Sequence, residues 1–282
     1  MIHIATVHWK SDRWIQIQAE FLRRYLHNDF RVYAWLNDIP NAPVDSFYYH
    51  TSEPLKSHAV KLNILADIIC ASASKPDDTL IFLDGDAFPI ANIEKLLVEN
   101  IPSRKLLAVQ RLENNGDCQP HPCFCATTVR FWREICGDWK KGHCWKNRQG
   151  KNVTDVGGNL LKILTERSID WMPLLRSNQA NLHPLFFGIY ADAVYHHGAG
   201  FRGKFCRNDA ASLIESGRSL LKRRPGFVRQ ERKATLREIK KRNTQLSEAV
   251  FVEIKNAPGF FKRFISGVAS NYLANFDSAE LS

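Results

Sequence analysis

The stretch IFLDGDAFPI, Ile81–Ile90, decides how the rest of the sequence is interpreted. The apolar run Leu80–Leu83 is typical of a buried central strand, and two carboxylates, Asp84 and Asp86, follow it directly. Like charges this close raise each other's pKa unless a cation or hydrogen-bond donors compensate. Mg²⁺ and Mn²⁺ prefer carboxylate oxygens, and Gly85 would let the backbone approach a ligand closely. We therefore predict a divalent-metal site at Asp84 and Asp86; the alternative is an ordinary Asp-Gly-Asp turn.

The chain around this stretch alternates strands with helices. Residues 3–9 and 30–37 are predicted strands on either side of an amphipathic helix, which indicates an α/β fold. Ligands of such sheets bind beyond the carboxyl ends of the strands, so we expect ligand contacts from Thr6, His8, Asn37 and Asp38. No G-x-G-x-x-G motif or P-loop is present, which argues against a dinucleotide-binding domain.

Three later features add candidate residues. A helix is predicted over residues 57–73, and its apolar positions Val60, Ile64, Ile68 and Cys70 are expected to face the sheet. Lys61, near the start of this helix, could reach a phosphate or a nucleobase or could simply be solvated. Asp155 precedes two glycines at the start of another helix; an acid there can serve a site or simply favour the helix dipole. His196 and His197 point to opposite faces if their strand continues, so only one can be a ligand. We assign His197 because it opens a glycine-rich loop that also carries Lys204.

The charge is uneven along the chain. Of 39 Lys and Arg residues, 17 lie beyond residue 200, but only 8 of the 29 Asp and Glu residues do. We predict a catalytic domain over residues 1–207 and a basic, helical extension over residues 208–282, which could contact an anionic membrane surface. The alternative for the aromatic segment after Pro258 is a helix that packs back on the domain. Without a signal peptide or a transmembrane stretch, we expect a cytoplasmic protein, peripheral at the inner face of the membrane.

The motifs FLDGDAFP, TDVGG and HHGAGFRGK resemble those of the GT-A class of nucleotide-sugar glycosyltransferases, over about residues 1–205. The resemblance implies a GT-A-like (Rossmann-like) mixed sheet flanked by helices. It also implies transfer of a sugar from a nucleoside-diphosphate sugar, UDP-sugar by default, to a glycan or lipid-linked acceptor. The cofactor would be Mn²⁺ or Mg²⁺.

The resemblance also implies roles for individual residues. Asp84, Asp86 and His197 would hold the metal, and Lys204 would stabilise the leaving diphosphate. Asp155 would hold the acceptor hydroxyl and, in an inverting enzyme, act as general base. The remaining cofactor-binding residues would be Thr6, His8, Asn37, Asp38, Lys61 and Gly85.

Three other functions stay open. One is that of a sugar nucleotidyltransferase, but the glycine-rich basic loop of such enzymes near the N-terminus is missing here. Haloacid-dehalogenase-type phosphatases also place two acids after a strand, but their D-x-D-G-[TS] pattern does not match the Phe88-Pro89 that follows here. A polyanion-binding protein would use the basic extension, but no nucleic-acid-binding motif accompanies it, and we expect no nucleic-acid partner.

Overall fold

The computed structural model of the chain describes residues 1–73, 75–179, 182–183, 185–198, 229–257 and 259–264. The helices in these ranges are α1 (Ile15–Tyr25), α2 (His58–Ser72), α3 (Ile93–Arg104), α4 (Val129–Ile135), α5 (Gly158–Glu166) and α6 (Arg229–Asn256), followed by a 3₁₀ turn (Phe260–Arg263). The strands are β1 (Ile2–Trp9), β2 (Phe30–Asn37), β3 (Tyr49–Thr51), β4 (Thr79–Asp84), β5 (Ala87–Pro89), β6 (Leu106–Val109), β7 (His121–Thr128), β8 (Trp145–Lys146), β9 (Asn152–Val153), β10 (Met172–Leu174), β11 (Gly188–Tyr190) and β12 (Val194–His196).

Seven strands form one mixed sheet in the order β10-β6-β7-β4-β1-β2-β3. Strands β2 and β4 pair with β1 in parallel, whereas β7 pairs with β4 in the antiparallel direction. The parallel register aligns Val7 of β1 with Asp84 of β4. The carboxyl ends of β1 and β4 therefore meet at one edge of the sheet, and the predicted α/β fold with a mixed sheet is confirmed.

A second, antiparallel sheet lies at this edge, in the order β11-β12-β5. Strand β5 follows the two acids directly, and its register pairs Ala87 with His196 of β12. This pairing carries a histidine from late in the chain to the Asp-Gly-Asp loop (Asp84–Asp86).

The large sheet is buried on both faces because its central strands are apolar throughout. Leu80 and Phe82 of β4 lie in a cluster with α2, whereas Ile81 and Leu83 lie in a cluster on the opposite face. The side chains of α2 that are buried are Ala59, Lys61, Leu62, Leu65, Ala66 and Ile69. Val60, Ile64 and Ile68, which were expected to face the sheet, are only partly buried. The helix is therefore turned about its axis relative to the predicted orientation.

The C-terminal helix α6 packs against the N-terminal part of the chain. Phe251 and the 3₁₀ turn's Phe261 share a buried aromatic cluster with Trp14 and Phe21 of the α1 region. Arg13 makes two hydrogen bonds of 3.0 Å with Glu248 of α6. The aromatic side chains described after Pro258, those of Phe260, Phe261 and Phe264, are thus buried against the domain, as the alternative interpretation of that segment expected. The proposed boundary at residues 207 and 208 falls outside the described residues.

None of the described helices combines the length and apolar character needed to cross a bilayer.

Candidate active site

A cavity of about 310 Å³ opens at the edge where β1 and β4 end. Its described lining includes residues from the ends of β1, β4 and β12, from the start of β7, from α2, from the loops after β6 and β9, and from the segments before α1 and β11. The lining residues that concern the chemistry are His8, Trp9, His58, Asp84, Gly85, Asp86, Arg111, His121, Asp155, Phe186 and His196.

Three side chains in this cavity form a group that could hold a metal ion. One ligand atom each of Asp84, Asp86 and His196 lies within 4.8 Å of the others. The Nε2 atom of His196 is 3.6 Å from Asp84 Oδ2 and 3.5 Å from Asp86 Oδ1. Neighbouring ligands around an ion at 2.0–2.2 Å lie about 3 Å apart, so this spacing fits an ion after a small contraction. Two carboxylates and one imidazole are a donor set suited to Mn²⁺ and similar cations.

The two carboxylates stay ionised despite their burial. Burial by itself would raise the pKa of Asp84, but the hydrogen bond from His58 and the nearby imidazoles outweigh it and hold that pKa well below its usual range. For Asp86 the same cost of burial is outweighed mainly by His196, so its pKa is also lowered. Both groups are therefore available as anionic ligands.

Hydrogen bonds with residues of β1 and α1 fix the backbone of the Asp-Gly-Asp loop. Gln18 donates to the carbonyl oxygens of Asp84 (2.9 Å) and Ala87 (2.8 Å), and its own oxygen accepts from Thr6. Gly85 lies so close to β1 that a Cβ atom there would be 2.6 Å from the Val7 carbonyl oxygen. A glycine is required at this position because no side chain fits.

His197, the predicted metal ligand, points away from the acids. Its Nδ1 lies 2.9 Å from the Tyr195 hydroxyl and its Nε2 lies 2.8 Å from the Ser247 hydroxyl of α6. The ring also contacts Trp14, at 4.6 Å between centroids. Because adjacent strand residues face opposite sides, His196 takes the place beside the acids that the sequence assigned to His197.

The residues predicted to hold a nucleotide divide into two groups. His8 and Gly85 line the cavity, together with Asp84. Burial lowers the pKa of His8 to about 4, so its ring is neutral at physiological pH. Thr6, by contrast, is fully buried inside the sheet, where its hydroxyl donates to Gln18.

Asn37, Asp38 and Lys61 also lie outside the described cavity lining, but two of them contact Trp9, which belongs to it. Asp38 accepts a 3.1 Å hydrogen bond from the Trp9 indole, and Lys61 Nζ is 5.8 Å from the Trp9 ring centroid. Lys61 is only 2% exposed, and burial lowers its pKa, although Asp38 opposes the shift. Asp38 and Lys61 therefore support the Trp9 indole at the margin of the cavity.

Asp155 does line the cavity, and its carboxylate is half-exposed. Lys141 forms a 3.1 Å ion pair with it, and the Val156 amide donates to it at 2.9 Å. Burial alone would raise the pKa of Asp155, but these two contacts outweigh it and lower the pKa. The two glycines after it start α5 as predicted, with Gly157 at a φ of 103°.

His121 is a cavity residue that the sequence analysis missed. Its Nδ1 accepts a 3.1 Å hydrogen bond from the Cys123 amide, which leaves the Nε2 as the protonated nitrogen. Burial and the positive charge of Arg111 lower its pKa to about 3, so the ring is neutral. The register of β6 and β7 shifts where Val109 meets His121, and such bulges re-aim side chains near sites. The sequence signal for it is Pro122, because proline within a sheet occurs mainly at edges and bulges.

A buried charged network lies behind the cavity wall. Glu113 accepts a 2.7 Å hydrogen bond from the Tyr190 hydroxyl and has Arg111 and Arg176 guanidinium nitrogens at 3.9 Å each. Arg176 is fully buried and donates to the carbonyl oxygens of residues 183 and 186 at 2.6 and 2.9 Å. Since residues 185 and 186 line the cavity, this network shapes one of its walls.

Asp117 is a second acid in this network. It is 6% exposed, and burial raises its pKa to about 7, although Arg111 opposes the shift. Lys204, the remaining predicted site residue, lies outside the described residues.

Comparison with known proteins finds likeness in solved structures alone. No protein-family model matches the sequence, and no curated protein does. The galactosyltransferase LgtC, in complex with donor and acceptor sugar analogs, is 10% identical with a TM-score of 0.37, over 62% of this chain and 73% of LgtC. The glycosyltransferase GlyE of Streptococcus pneumoniae is 12% identical with a TM-score of 0.39, over 61% of this chain and 45% of GlyE. The catalytic domain of Drosophila β1,4-galactosyltransferase 7, in complex with xylobiose, is 12% identical with a TM-score of 0.39, over 83% of this chain and 79% of that domain.

Proposed function

We propose that the chain is a metal-dependent glycosyltransferase that moves a sugar from a nucleoside-diphosphate sugar, UDP-sugar by default, to an acceptor hydroxyl group. The observation that carries this proposal is the cluster of Asp84, Asp86 and His196 beside a cavity at the carboxyl ends of β1 and β4. Ligands of α/β sheets bind at this edge, and the donor set suits a divalent cation.

Asp84, Asp86 and His196 would hold Mn²⁺ or Mg²⁺. A bound cation would neutralise the charge of the diphosphate as the sugar leaves. The chain's own residues would do the positioning. The Trp9 indole, 37% exposed and fixed by Asp38, offers a flat surface on which a nucleobase can stack.

Two further residues of the cavity, His121 and Asp155, could contact the sugar and the acceptor. His121 keeps its Nε2 proton at physiological pH because its Nδ1 is bonded to backbone, so it can donate to a sugar hydroxyl. Asp155 is ionised and half-exposed, so it can accept a hydrogen bond from an acceptor hydroxyl and, in an inverting reaction, take its proton.

The acceptor is proposed to be a glycan or a lipid-linked glycan. Exposed cations on α6 could face an anionic membrane surface, and those among the described side chains are Arg237, Lys240, Lys241, Arg242 and Lys255. The described aromatic residues after Pro258 do not contribute to this surface because they are buried.

The test is a thermal-shift screen of UDP, GDP, CMP and their common sugar conjugates, with and without Mn²⁺. A ligand that binds only the folded protein raises the melting temperature by mass action. We expect one nucleotide to give a shift that requires Mn²⁺ and that disappears in Asp86→Ala and His196→Ala. Asp77→Ala is the matched control, because Asp77 is an exposed carboxylate whose side chain pairs with Arg130.

Two results would contradict the proposal. A shift that persists in both site variants would place the nucleotide elsewhere. No shift with any nucleotide, together with release of phosphate from p-nitrophenyl phosphate, would favour the phosphatase reading.

A further inference from the structure

His58, which lines the cavity, makes a close side-chain contact with Asp84 of the Asp-Gly-Asp loop. Its Nε2 lies 3.0 Å from Asp84 Oδ1, whereas the other oxygen, Oδ2, faces His196 at 3.6 Å. A carboxylate can only accept, so the shared proton belongs to the His58 Nε2. The two oxygens of Asp84 thus have different partners. One partner is His58 on α2, and the other is His196 of the metal group, which consists of Asp84, Asp86 and His196.

We propose that His58 is a positioning residue, which holds Oδ1 of Asp84 so that Oδ2 stays turned toward Asp86 and His196 and a divalent cation binds more tightly. This inference rests on the proposed function, since it concerns the same metal group. It adds a residue outside that group and gives it a role that can be measured without sugar transfer.

The rest of Asp84 is already fixed, which is why one side-chain contact is decisive. Gln18 holds the carbonyl oxygen of Asp84 at 2.9 Å, and the Gly85 amide donates to the Val7 carbonyl oxygen at 3.2 Å. With the backbone fixed, rotation of the carboxylate is the main remaining freedom, and the bond to His58 removes it. Ligands held in this way lose less entropy when the ion binds.

His58 itself is well supported. It is the first residue of α2, and the hydroxyl of Ser57 caps the helix by accepting from the Val60 amide at 3.4 Å. The next residue, Ala59, and Leu62 are buried in the core, so the first turn of α2 is anchored against the sheet. The His58 ring is therefore presented from a rigid element.

The geometry also separates this role from direct coordination. Among the described residues, the group whose ligand atoms lie within 4.8 Å of one another contains Asp84, Asp86 and His196, and His58 is outside it. A hydrogen-bond donor of this kind fixes the orientation of a carboxylate ligand. Its loss typically weakens metal affinity by about 10–100-fold.

The experiment is an Mn²⁺ titration of the whole chain, followed by the electron paramagnetic resonance signal of free Mn²⁺, alone and with UDP. We expect His58→Ala to raise the Kd by about 10–100-fold and His58→Gln, which keeps an N–H donor, to recover part of the loss. The control is His50→Ala, since His50 is an exposed histidine of β3. Circular dichroism melting of every variant separates a lost contact from a lost fold.

Each outcome decides the matter. An unchanged Kd in His58→Ala, with Mn²⁺ binding intact in the wild type, would overturn the inference and leave the proposed function standing. Loss of the ¹⁴N coupling to bound Mn²⁺ in His58→Ala, but not in His196→Ala, would make His58 a ligand and overturn the positioning role. A wild-type chain that binds no Mn²⁺ under either condition would remove the metal site and this inference together.

Discussion

The buried acid Asp117 gives the sharpest test of the electrostatics behind the cavity. It is 6% exposed, and its oxygens accept long hydrogen bonds of 3.3 and 3.4 Å from the backbone and side-chain nitrogens of Gln119. Burial raises its pKa from 3.8 to about 7, with Arg111 opposing and with Asp155 and Glu113 adding to the rise. The acid is thus harder to ionise in the folded chain than in the unfolded one.

The sign of the effect on stability follows from proton binding. Between pH 3.8 and about 7 the folded chain keeps the Asp117 proton while the unfolded chain releases it. Stability therefore falls as pH rises through this window and levels off above it. A rise of about three pKa units at 1.36 kcal/mol each corresponds to about 4 kcal/mol at pH 8.

The substitution Asp117→Asn removes this titration while keeping the shape of the side chain. The new amide can donate to the Gln119 side-chain oxygen, which has no partner among the described residues. We expect urea unfolding to give equal free energies for wild type and variant near pH 4. At pH 8 the variant should be more stable, by up to about 4 kcal/mol.

The control and the refuting result are both simple to obtain. Asp77→Asn makes the same change of charge at a side chain that is 74% exposed, and should show no growing gap with pH. If Asp117→Asn is instead less stable than wild type at pH 8, the carboxylate is ionised and held by Arg111, and the reasoning about its burial is refuted.

Three further substitutions test the packing around the site. Gly85→Ala would set a Cβ atom 2.6 Å from the Val7 carbonyl oxygen. Thermal melting should therefore show a free energy of unfolding lower by about 1–3 kcal/mol, and Mn²⁺ binding should be weaker. Gln18→Leu removes the donors to two carbonyls of the Asp-Gly-Asp loop and should lower the unfolding free energy by about 1–3 kcal/mol; an unchanged urea midpoint would contradict this. Phe261→Ala should cost about 3–5 kcal/mol because the ring is buried beside α1. If that ring faced a membrane instead, binding to anionic vesicles would fall while the melting temperature stayed the same.

The strand that carries the acids could be predicted because its pattern allows few alternatives. Four consecutive apolar residues before the acids fit a strand that is covered on both faces, and β4 is such a strand, with Leu80 and Leu83 at most 1% exposed. The helix α2 offered no such guidance about its orientation. Apolar residues occur on most of its sides, so periodicity alone could not choose between Val60 and Leu62 as core positions.

The predicted nucleotide contacts show that a sequence pattern does not reveal how far a strand residue lies from the cavity. Thr6 and His8 both lie on β1 and share one face, as alternation requires. His8 stands at the end of the strand, where it meets the cavity, while Thr6 is one step further inside and bonds to Gln18. Asn37 is the last residue of β2 and Asp38 follows it, as expected, but Asp38, with a φ of 56°, accepts a hydrogen bond from the Trp9 indole.

The two adjacent histidines connect the group formed by Asp84, Asp86 and His196 to helix α6. Alternation along β12 turns His196 toward the acids and His197 toward Trp14 and α6. The His197 amide donates to the Asp86 carbonyl oxygen at 3.0 Å, so the residue that bonds to Ser247 of α6 also fixes the loop that carries the acid. The glycine-rich loop after this pair drew attention to His197, but the pairing of His196 with Ala87 decides which ring reaches the acids. Because α6 and the Asp-Gly-Asp loop are joined through one histidine, loss of the helix should loosen the metal group even though no residue of the helix lines the described cavity.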